Sequence, residues 1–137
     1  MRSILNLTAS LATAMMTASC LDTSIDCDCP TPPNIALKII DGANEGCVTG
    51  AEISLLRNGL VFKTVPVYDD VSCTYAFFSG SGRIGFTVEK SGFADLRVDS
   101  LAVGYVKAGC CGEYEKKAID VKWYPAILGI EPEIIFR

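Results

Sequence analysis

The chain contains no histidine among its 137 residues. Histidine is the commonest general base near neutral pH and a frequent metal ligand, so its absence argues against both kinds of chemistry. Basic clusters are also lacking, because the longest basic run is Lys116-Lys117, which is typical of a solvated strand edge. Together with a net charge of −4, this makes nucleic acid a poor partner.

A sustained helical period is missing as well, and apolar residues alternate with polar ones instead. Hydrophobic residues make up 50% of the chain and charged residues 20%, which is too hydrophobic for a disordered protein and ordinary for one folded domain. Alternation is typical of a β-strand with one buried face. The clearest case is a hairpin at 83–98 that turns at Ser91-Gly92. Its inward residues are expected to be Ile84, Phe86, Val88, Ala94, Leu96 and Val98.

Other alternating runs bring the expected number of strands to about seven. Asn58-Gly59 predicts a two-residue type I′ turn into a return strand, in which Pro66 favours the edge of a sheet. A change of face after Val98 implies a bulge or a switch of sheet near Ser100. The inward residues of the remaining strands are predicted to be Ile35, Leu37, Ile39, Ala51, Ile53, Leu55, Cys73, Tyr75, Phe77, Ile119, Val121 and Trp123.

Residues 1–19 have the composition of a short secretory signal, with one arginine and then an uncharged stretch that is too short to span a membrane. Ala18 and Ser19 before Cys20 resemble the lipobox of bacterial lipoproteins, which implies diacylglycerol on the Cys20 thiol and cleavage before it. Thr17 stands where the lipobox usually has leucine. Ordinary cleavage that leaves Cys20 as a free or paired thiol is therefore the alternative.

A lipid-anchored protein would be held at a membrane surface, because more than one acyl chain gives stable attachment. Leu21, rather than aspartate, follows the cysteine, and by resemblance to the enterobacterial sorting rule this favours the outer membrane. Residues 20–33 are acidic and proline-rich and predict a tether, followed by one domain at 34–125. Residues 126–137 form an apolar tail that either adds an edge strand or docks on a partner.

Seven cysteines behind an export signal indicate an oxidising compartment. Setting Cys20 aside leaves six, which allow 15 pairings. The neighbours Cys110 and Cys111 point to opposite faces of an extended chain, so each is expected to reach a different partner. The cysteines expected in disulfides are Cys27, Cys29, Cys47, Cys73, Cys110 and Cys111.

A thiol-active protein, either redox-active or metal-binding, is the alternative reading of the close pairs Cys27/Cys29 and Cys110/Cys111. Structural zinc sites space paired cysteines by two to four residues and thioredoxin-like motifs by two, and neither spacing is present. Asp69-Asp70 supplies too few oxygens for a calcium cage by itself. No carboxylate pair stands out as an acid and base, so we expect no cofactor, no metal and no catalytic residue.

With the strands in order, residues 34–125 resemble the carboxypeptidase regulatory-like, transthyretin-like β-sandwich. The resemblance implies a Greek-key sandwich of about seven antiparallel strands. The first strand is followed by an acidic, glycine-rich loop (IALKIIDGANEGCVTG), and a small residue opens the second strand (AEISLLRNG). A glycine-containing strand (GRIGFTVEK) precedes an SGF turn, and the closing strand ends in proline (AIDVKWYP).

The resemblance also carries expectations about chemistry. Regulatory domains of carboxypeptidases are non-catalytic, and transthyretin-like hydroxyisourate hydrolases depend on histidines that this chain lacks. Related small lipoproteins imply a bridge between Cys73 and either Cys110 or Cys111. Cys47, which the family lacks, is expected to pair with the other of these two cysteines or with the Cys27/Cys29 region.

We therefore expect a non-catalytic binding or structural module at a bacterial envelope, anchored by lipid and contacting a protein or glycan. An envelope inhibitor or accessory subunit is a further alternative, beside the thiol-active protein.

Overall fold

The computed structural model describes residues 27–137, so the predicted signal segment 1–19, Cys20 and the first part of the predicted tether lie outside the described residues. Within this range the chain forms eleven strands and one 3-10 turn at Ala126–Leu128, so the expected all-β class is confirmed. No helix in the described range is long and apolar enough to cross a membrane. The strands are β1 Ile35–Asp41, β2 Glu52–Arg57, β3 Leu60–Lys63, β4 Val67–Asp69, β5 Thr74–Phe77, β6 Gly82–Glu89, β7 Leu96–Val103, β8 Tyr105–Ala108, β9 Cys111–Tyr114, β10 Lys117–Trp123 and β11 Glu133–Phe136.

The strands form a five-stranded sheet in the order β11-β10-β1-β5-β4, a four-stranded sheet in the order β3-β2-β6-β7, and the separate hairpin β8-β9. The expectation of purely antiparallel pairing is wrong at the centre of the first sheet. There β1 runs parallel to β10, with Ile35 opposite Lys117 and Asp41 opposite Trp123. Alternation along a strand predicts its buried face but not the direction of the neighbouring strand, so the sequence pattern does not indicate this parallel pairing.

The number of strands is also larger than the expected seven, for two physical reasons. The predicted return strand after Asn58-Gly59 is divided at Pro66 into β3 and β4, which lie at the edges of different sheets. Proline has no backbone N–H, so it suits this crossing between edges. The segment from Tyr105 to Tyr114 folds as an additional hairpin, and the tail adds β11 beside β10.

Inward-facing side chains of both large sheets form one hydrophobic core. Ile35, Leu37 and Ile39 alternate along β1 in the predicted way and are buried. Phe77 of one sheet meets Phe86 of the other edge-on, with 5.8 Å between ring centroids. Burial of each such side chain contributes roughly 1.5–3 kcal/mol, so packing of the two sheets supplies most of the stabilisation.

The predicted β6–β7 hairpin and the bulge near Ser100 are present. Ile84 pairs with Leu101 and Phe86 with Val98, so the register shifts where Gly85 faces the chain around Ser100. Ser100 has φ of 55°, and the extra residue on β7 accounts for the change of face. Ala94 is exposed and precedes β7, because the connection between the strands is longer than a two-residue turn.

The predicted turn between β2 and β3 is confirmed. Arg57 pairs with Leu60, leaving only Asn58 and Gly59 between the strands. These two residues have φ of 51° and 75°, and two successive positive values define a type I′ turn.

The connections gather at two ends of the packed sheets. We call the end where β1 and β10 begin the proximal end; it carries the segment 27–34 and the β8–β9 hairpin. We call the opposite end the distal end; it carries the loops 42–51 and 90–95 and the turn 70–73.

Candidate functional site

Three disulfides pair all six cysteines of the described range. Cys47 bonds to Cys73, with 5.0 Å between Cα atoms, so the expected bridge from Cys73 to Cys110 or Cys111 is wrong. Cys73 precedes β5 at the distal end, whereas Cys110 and Cys111 lie in the proximal hairpin, so the length of the sheet separates them. A bridge needs Cα atoms within about 7 Å.

The other two bridges lie side by side at the proximal end. Cys27 bonds to Cys110 and Cys29 to Cys111, with Cα separations of 5.8 and 5.5 Å. Cys110, in the turn between β8 and β9, and Cys111, at the start of β9, thus reach different partners, as expected. This pair of bridges, which we call the double staple, ties the predicted tether to the hairpin. Cys20 lies outside the described residues.

The β8–β9 hairpin is a small aromatic platform at this end. Tyr105 pairs across the strands with Tyr114, with 4.7 Å between ring centroids, and Tyr114 meets Phe78 edge-on at 4.9 Å. A side chain on Gly112 would displace the Tyr105 ring from its present position, so glycine lets this ring lie close to β9. The sequence signal for the hairpin was Gly109 between YVKA and CGEY, but its strands lack the alternation used to find the others.

A cleft of about 400 Å3 lies between the tether and this hairpin. Pro30, Pro32 and Pro33 form part of its lining, and β9 supplies Glu113 and Tyr114. Three prolines restrict the backbone, so the lining from the tether is stiff. Asn34 and Lys116 complete its polar lining, so the cleft offers apolar contacts together with one carboxylate and one ammonium.

Asn34 joins the tether to the sheet through a buried hydrogen-bond network. Its amide nitrogen donates to Ser79 Oγ at 3.0 Å and to the carbonyl of Glu115 at 3.2 Å. Its side-chain oxygen accepts the Ser79 backbone N–H at 2.8 Å. Because buried polar groups are costly when unpaired, this network holds the start of β1 in place.

Glu115 closes the base of the hairpin. Its carboxylate accepts the Gly104 backbone N–H at 3.0 Å and pairs with the Lys117 ammonium at 3.2 Å. The hydrogen bond from Gly104, followed by the contribution of Lys117, lowers the pKa of Glu115 below its ordinary value. Both contacts favour the ionised form, so this carboxylate acts as an acceptor and not as an acid.

The acidic turn at the distal end gives no metal cage. Within residues 27–137 no group of three histidine, cysteine or acidic side chains is placed to hold an ion. Asp69 Oδ1 accepts the Val71 backbone N–H at 3.0 Å, which closes the turn. The neighbouring Tyr68 hydroxyl is buried without a protein hydrogen-bond partner, and burial, followed by repulsion from Tyr75, raises the pKa of Tyr68.

An exposed apolar strip follows the open edges of both large sheets. It passes from β3 to β4, the outermost strands on that side, and Val61 and Val65 are 65% and 95% exposed. Several exposed apolar side chains along an unpaired strand edge are typical of an interaction site. Its members are Leu60, Val61, Phe62, Val65, Val67 and Val71.

This apolar strip was not predicted, although consecutive apolar residues in LVF are the signal that could have revealed it. The tail was correctly described as apolar. Ile134 packs against the core from the edge strand β11, while Ile127, Ile135 and Phe136 are exposed.

Comparison with protein-family models, with curated proteins and with solved structures finds no match to this chain. The function is therefore argued from its own residues, of which the double staple and the apolar strip are the most informative.

Proposed function

We propose that the protein is an exported lipoprotein of a bacterial envelope, attached through Cys20 to the outer membrane, whose β domain binds a partner without catalysing a reaction. The signal-like segment 1–19 and the small residues before Cys20 support the attachment. The three disulfides of the domain support an oxidising compartment.

We further propose that the domain is a transthyretin-like, carboxypeptidase regulatory-like Greek-key sandwich, extended by β4, β11 and the β8–β9 hairpin. Strands that are distant in sequence lie side by side in both large sheets, with β5 and β10 flanking β1 and with β6 beside β2. Neighbours of this kind, together with one core between two sheets, support that architecture.

The observation that carries a binding function is the apolar strip. Within the described residues, β3 has β2 on one side and no strand on the other, so its outer backbone groups are free to pair. An extended segment of another protein can add to such an edge and place its side chains against the aliphatic ones beside it. Aliphatic side chains favour a protein partner over a glycan, because a sugar's hydroxyl groups need polar ones.

Mass spectrometry of the mature amino terminus tests the attachment. We expect a chain that begins at Cys20 and carries acyl chains, and we expect the modification to disappear in Cys20→Ser. An uncut leader, or cleavage with an unmodified Cys20, would contradict the proposal and leave the ordinary exported protein in its place.

Photo-crosslinking in intact cells tests the binding surface. A photoreactive residue in place of Val61 is compared with one in place of Val106, since these side chains are 65% and 70% exposed. We expect a protease-sensitive product from position 61 that Phe62→Asp removes and Glu133→Gln, on the opposite sheet edge, leaves in place. A product removed by glycosidase instead would favour a glycan, and no product at position 61 would refute the strip as the binding surface.

The alternative of a thiol-active protein gains no support from the described residues, since their cysteines are all paired. Alkylation of the native protein without reductant checks this pairing. Rapid labelling of Cys27, Cys29, Cys110 or Cys111 would restore the alternative. An inhibitor or accessory subunit is a special case of the proposed binding module, to be decided by the identity of the crosslinked partner.

A further inference from the structure

The double staple fixes how far the domain can be from its anchor. Cys27 lies seven positions after Cys20 and is bonded to Cys110 in the β8–β9 hairpin. An extended chain spans at most about 3.6 Å per residue, so the anchor point and the hairpin lie within roughly 25 Å of each other. Without the two bridges the tether would extend to Pro33 and allow about twice that distance.

The part of the domain nearest to the anchor carries side chains suited to a lipid surface. Tyr105 is 44% and Val106 is 70% exposed, and Lys107 beside them is also exposed. Tyrosine is enriched where membrane meets water, because its ring is apolar and its hydroxyl is polar. A lysine can place its stem along apolar surface while its ammonium contacts headgroups.

The charges of the two ends favour the same orientation. The proximal end carries six basic and three acidic residues, namely Arg57, Arg83, Lys107, Lys116, Lys117 and Arg137 against Asp28, Glu113 and Glu115. The distal end carries nine acidic and three basic residues, namely Asp41, Glu45, Glu52, Asp69, Asp70, Glu89, Asp95, Glu131 and Glu133 against Lys63, Lys90 and Lys122. Anionic lipid attracts the first set and repels the second within about a Debye length.

We propose that the proximal end, with Tyr105, Val106 and Lys107 foremost, is the surface by which the domain rests on anionic phospholipid headgroups beside its own anchor. The inference depends on the proposed acylation of Cys20. It places the distal acidic loops away from the membrane and leaves the apolar strip at the side of the domain, open to a partner.

Quenching of tryptophan fluorescence by brominated lipid tests the orientation. The full-length lipidated protein is reconstituted in vesicles of phosphatidylethanolamine and phosphatidylglycerol with brominated acyl chains. Val106→Trp is compared with Val71→Trp, whose parent side chains are 70% and 91% exposed, and the buried Trp123 is common to both. We expect about a twofold loss of emission from position 106, because an interfacial aromatic lies at headgroup depth. Emission from position 71 should stay unchanged, and equal quenching at both positions, or at neither, would overturn the proposal.

Charge reversal distinguishes electrostatic docking from mere proximity. In the Val106→Trp protein, Lys107→Glu with Lys116→Glu should restore most of the lost emission, as should high salt. The matched distal pair, Lys63→Glu with Lys90→Glu, should change nothing, and equal effects from the two pairs would contradict the proposed face.

Mass spectrometry of each reconstituted sample keeps the two proposals apart. An unmodified Cys20 overturns the lipid attachment together with the orientation that depends on it. An acylated Cys20 with unquenched tryptophan at position 106 overturns the orientation alone.

Discussion

The two ends of the domain are stabilised in different ways. The proximal end is held by two disulfides that link residues 83 and 82 positions apart and by the polar network of Asn34. The distal end has one disulfide, which links residues 26 positions apart. It depends on packing instead: the buried Trp123 ring contacts the Phe93 ring, with 4.8 Å between the ring centroids. Covalent closure at the proximal end permits an aromatic hairpin with few core contacts there, whereas the distal end is closed by packing on the apolar core.

The largest effect should come from the packing that the distal end depends on. Trp123 is 1% exposed and its indole N–H donates to the Ala94 carbonyl at 2.9 Å. Trp123→Ala should lower the free energy of unfolding by about 3–5 kcal/mol, because it leaves a large cavity. Tyr114→Ala, at the half-buried proximal platform, should cost only about 1 kcal/mol. Denaturant titration measures both, and equal losses would remove the contrast between the ends.

The next largest difference in stability between the two ends should come from removing their disulfides. Cys47→Ser with Cys73→Ser should lower the free energy of unfolding by about 3.5 kcal/mol, the loop-entropy value for 26 residues. Cys27→Ser with Cys110→Ser should cost less than about 1 kcal/mol, because Cys29–Cys111 still closes nearly the same loop. Denaturant titration of each pair and of the fourfold proximal variant provides the check. If loss of Cys27–Cys110 alone lowers the free energy of unfolding as much as loss of Cys47–Cys73, the two bridges of the double staple do not close the same loop.

Buried hydrogen bonds offer a finer comparison. Asn34→Ala should cost about 1–3 kcal/mol, because it leaves the buried Ser79 N–H without its acceptor. At the distal end, Tyr75 donates to the Val48 carbonyl at 2.6 Å, and Tyr75→Phe should cost about 1 kcal/mol. Thermal unfolding of both variants tests the order. Adding Ser79→Ala to Asn34→Ala should cost less than the sum of the two, since they share one network.

The smallest expected effects concern pH, and they act on opposite ends. The lowered pKa of Glu115 stabilises the folded state at pH values above the ordinary glutamate pKa. This contribution is lost as the pH falls through the lowered pKa. The raised pKa of Tyr68 has the reverse consequence. Above the ordinary tyrosine pKa the phenol ionises more readily in the unfolded state than in the folded state, so stability declines there as pH rises. Glu115→Gln should flatten the acid limb of the stability profile and Tyr68→Phe the alkaline limb. An unchanged acid limb in Glu115→Gln would show that other carboxylates dominate it.

The parts of the fold that follow from neighbouring residues were predictable. Alternation located the inward faces of β1, β6 and β10, and Asn58-Gly59 specified its turn because two positive φ angles suit few other residues. The β8–β9 hairpin is local, but its strands lack the alternation that located the others. The parallel β1–β10 pairing and the cysteine partners depend on contacts between distant segments. Periodicity carries no information about such contacts. The sequence predicted the apolar tail. It did not predict the apolar strip, because the strip depends on the division of the return strand at Pro66 into β3 and β4, each at the edge of a different sheet.

The parallel pairing of β1 with β10 bears on when the protein can fold. β1 lies between β5 and β10, so the middle of the larger sheet stays incomplete until the chain has been delivered as far as Trp123. Pairings between distant segments form slowly, because the loop between them must be closed before any contact is gained. A chain exported from its amino terminus would therefore pass most of its length across the membrane before a stable core exists. If the protein is exported as proposed, late folding of this kind would keep the chain unfolded during its passage and would expose its apolar strands to chaperones in the meantime.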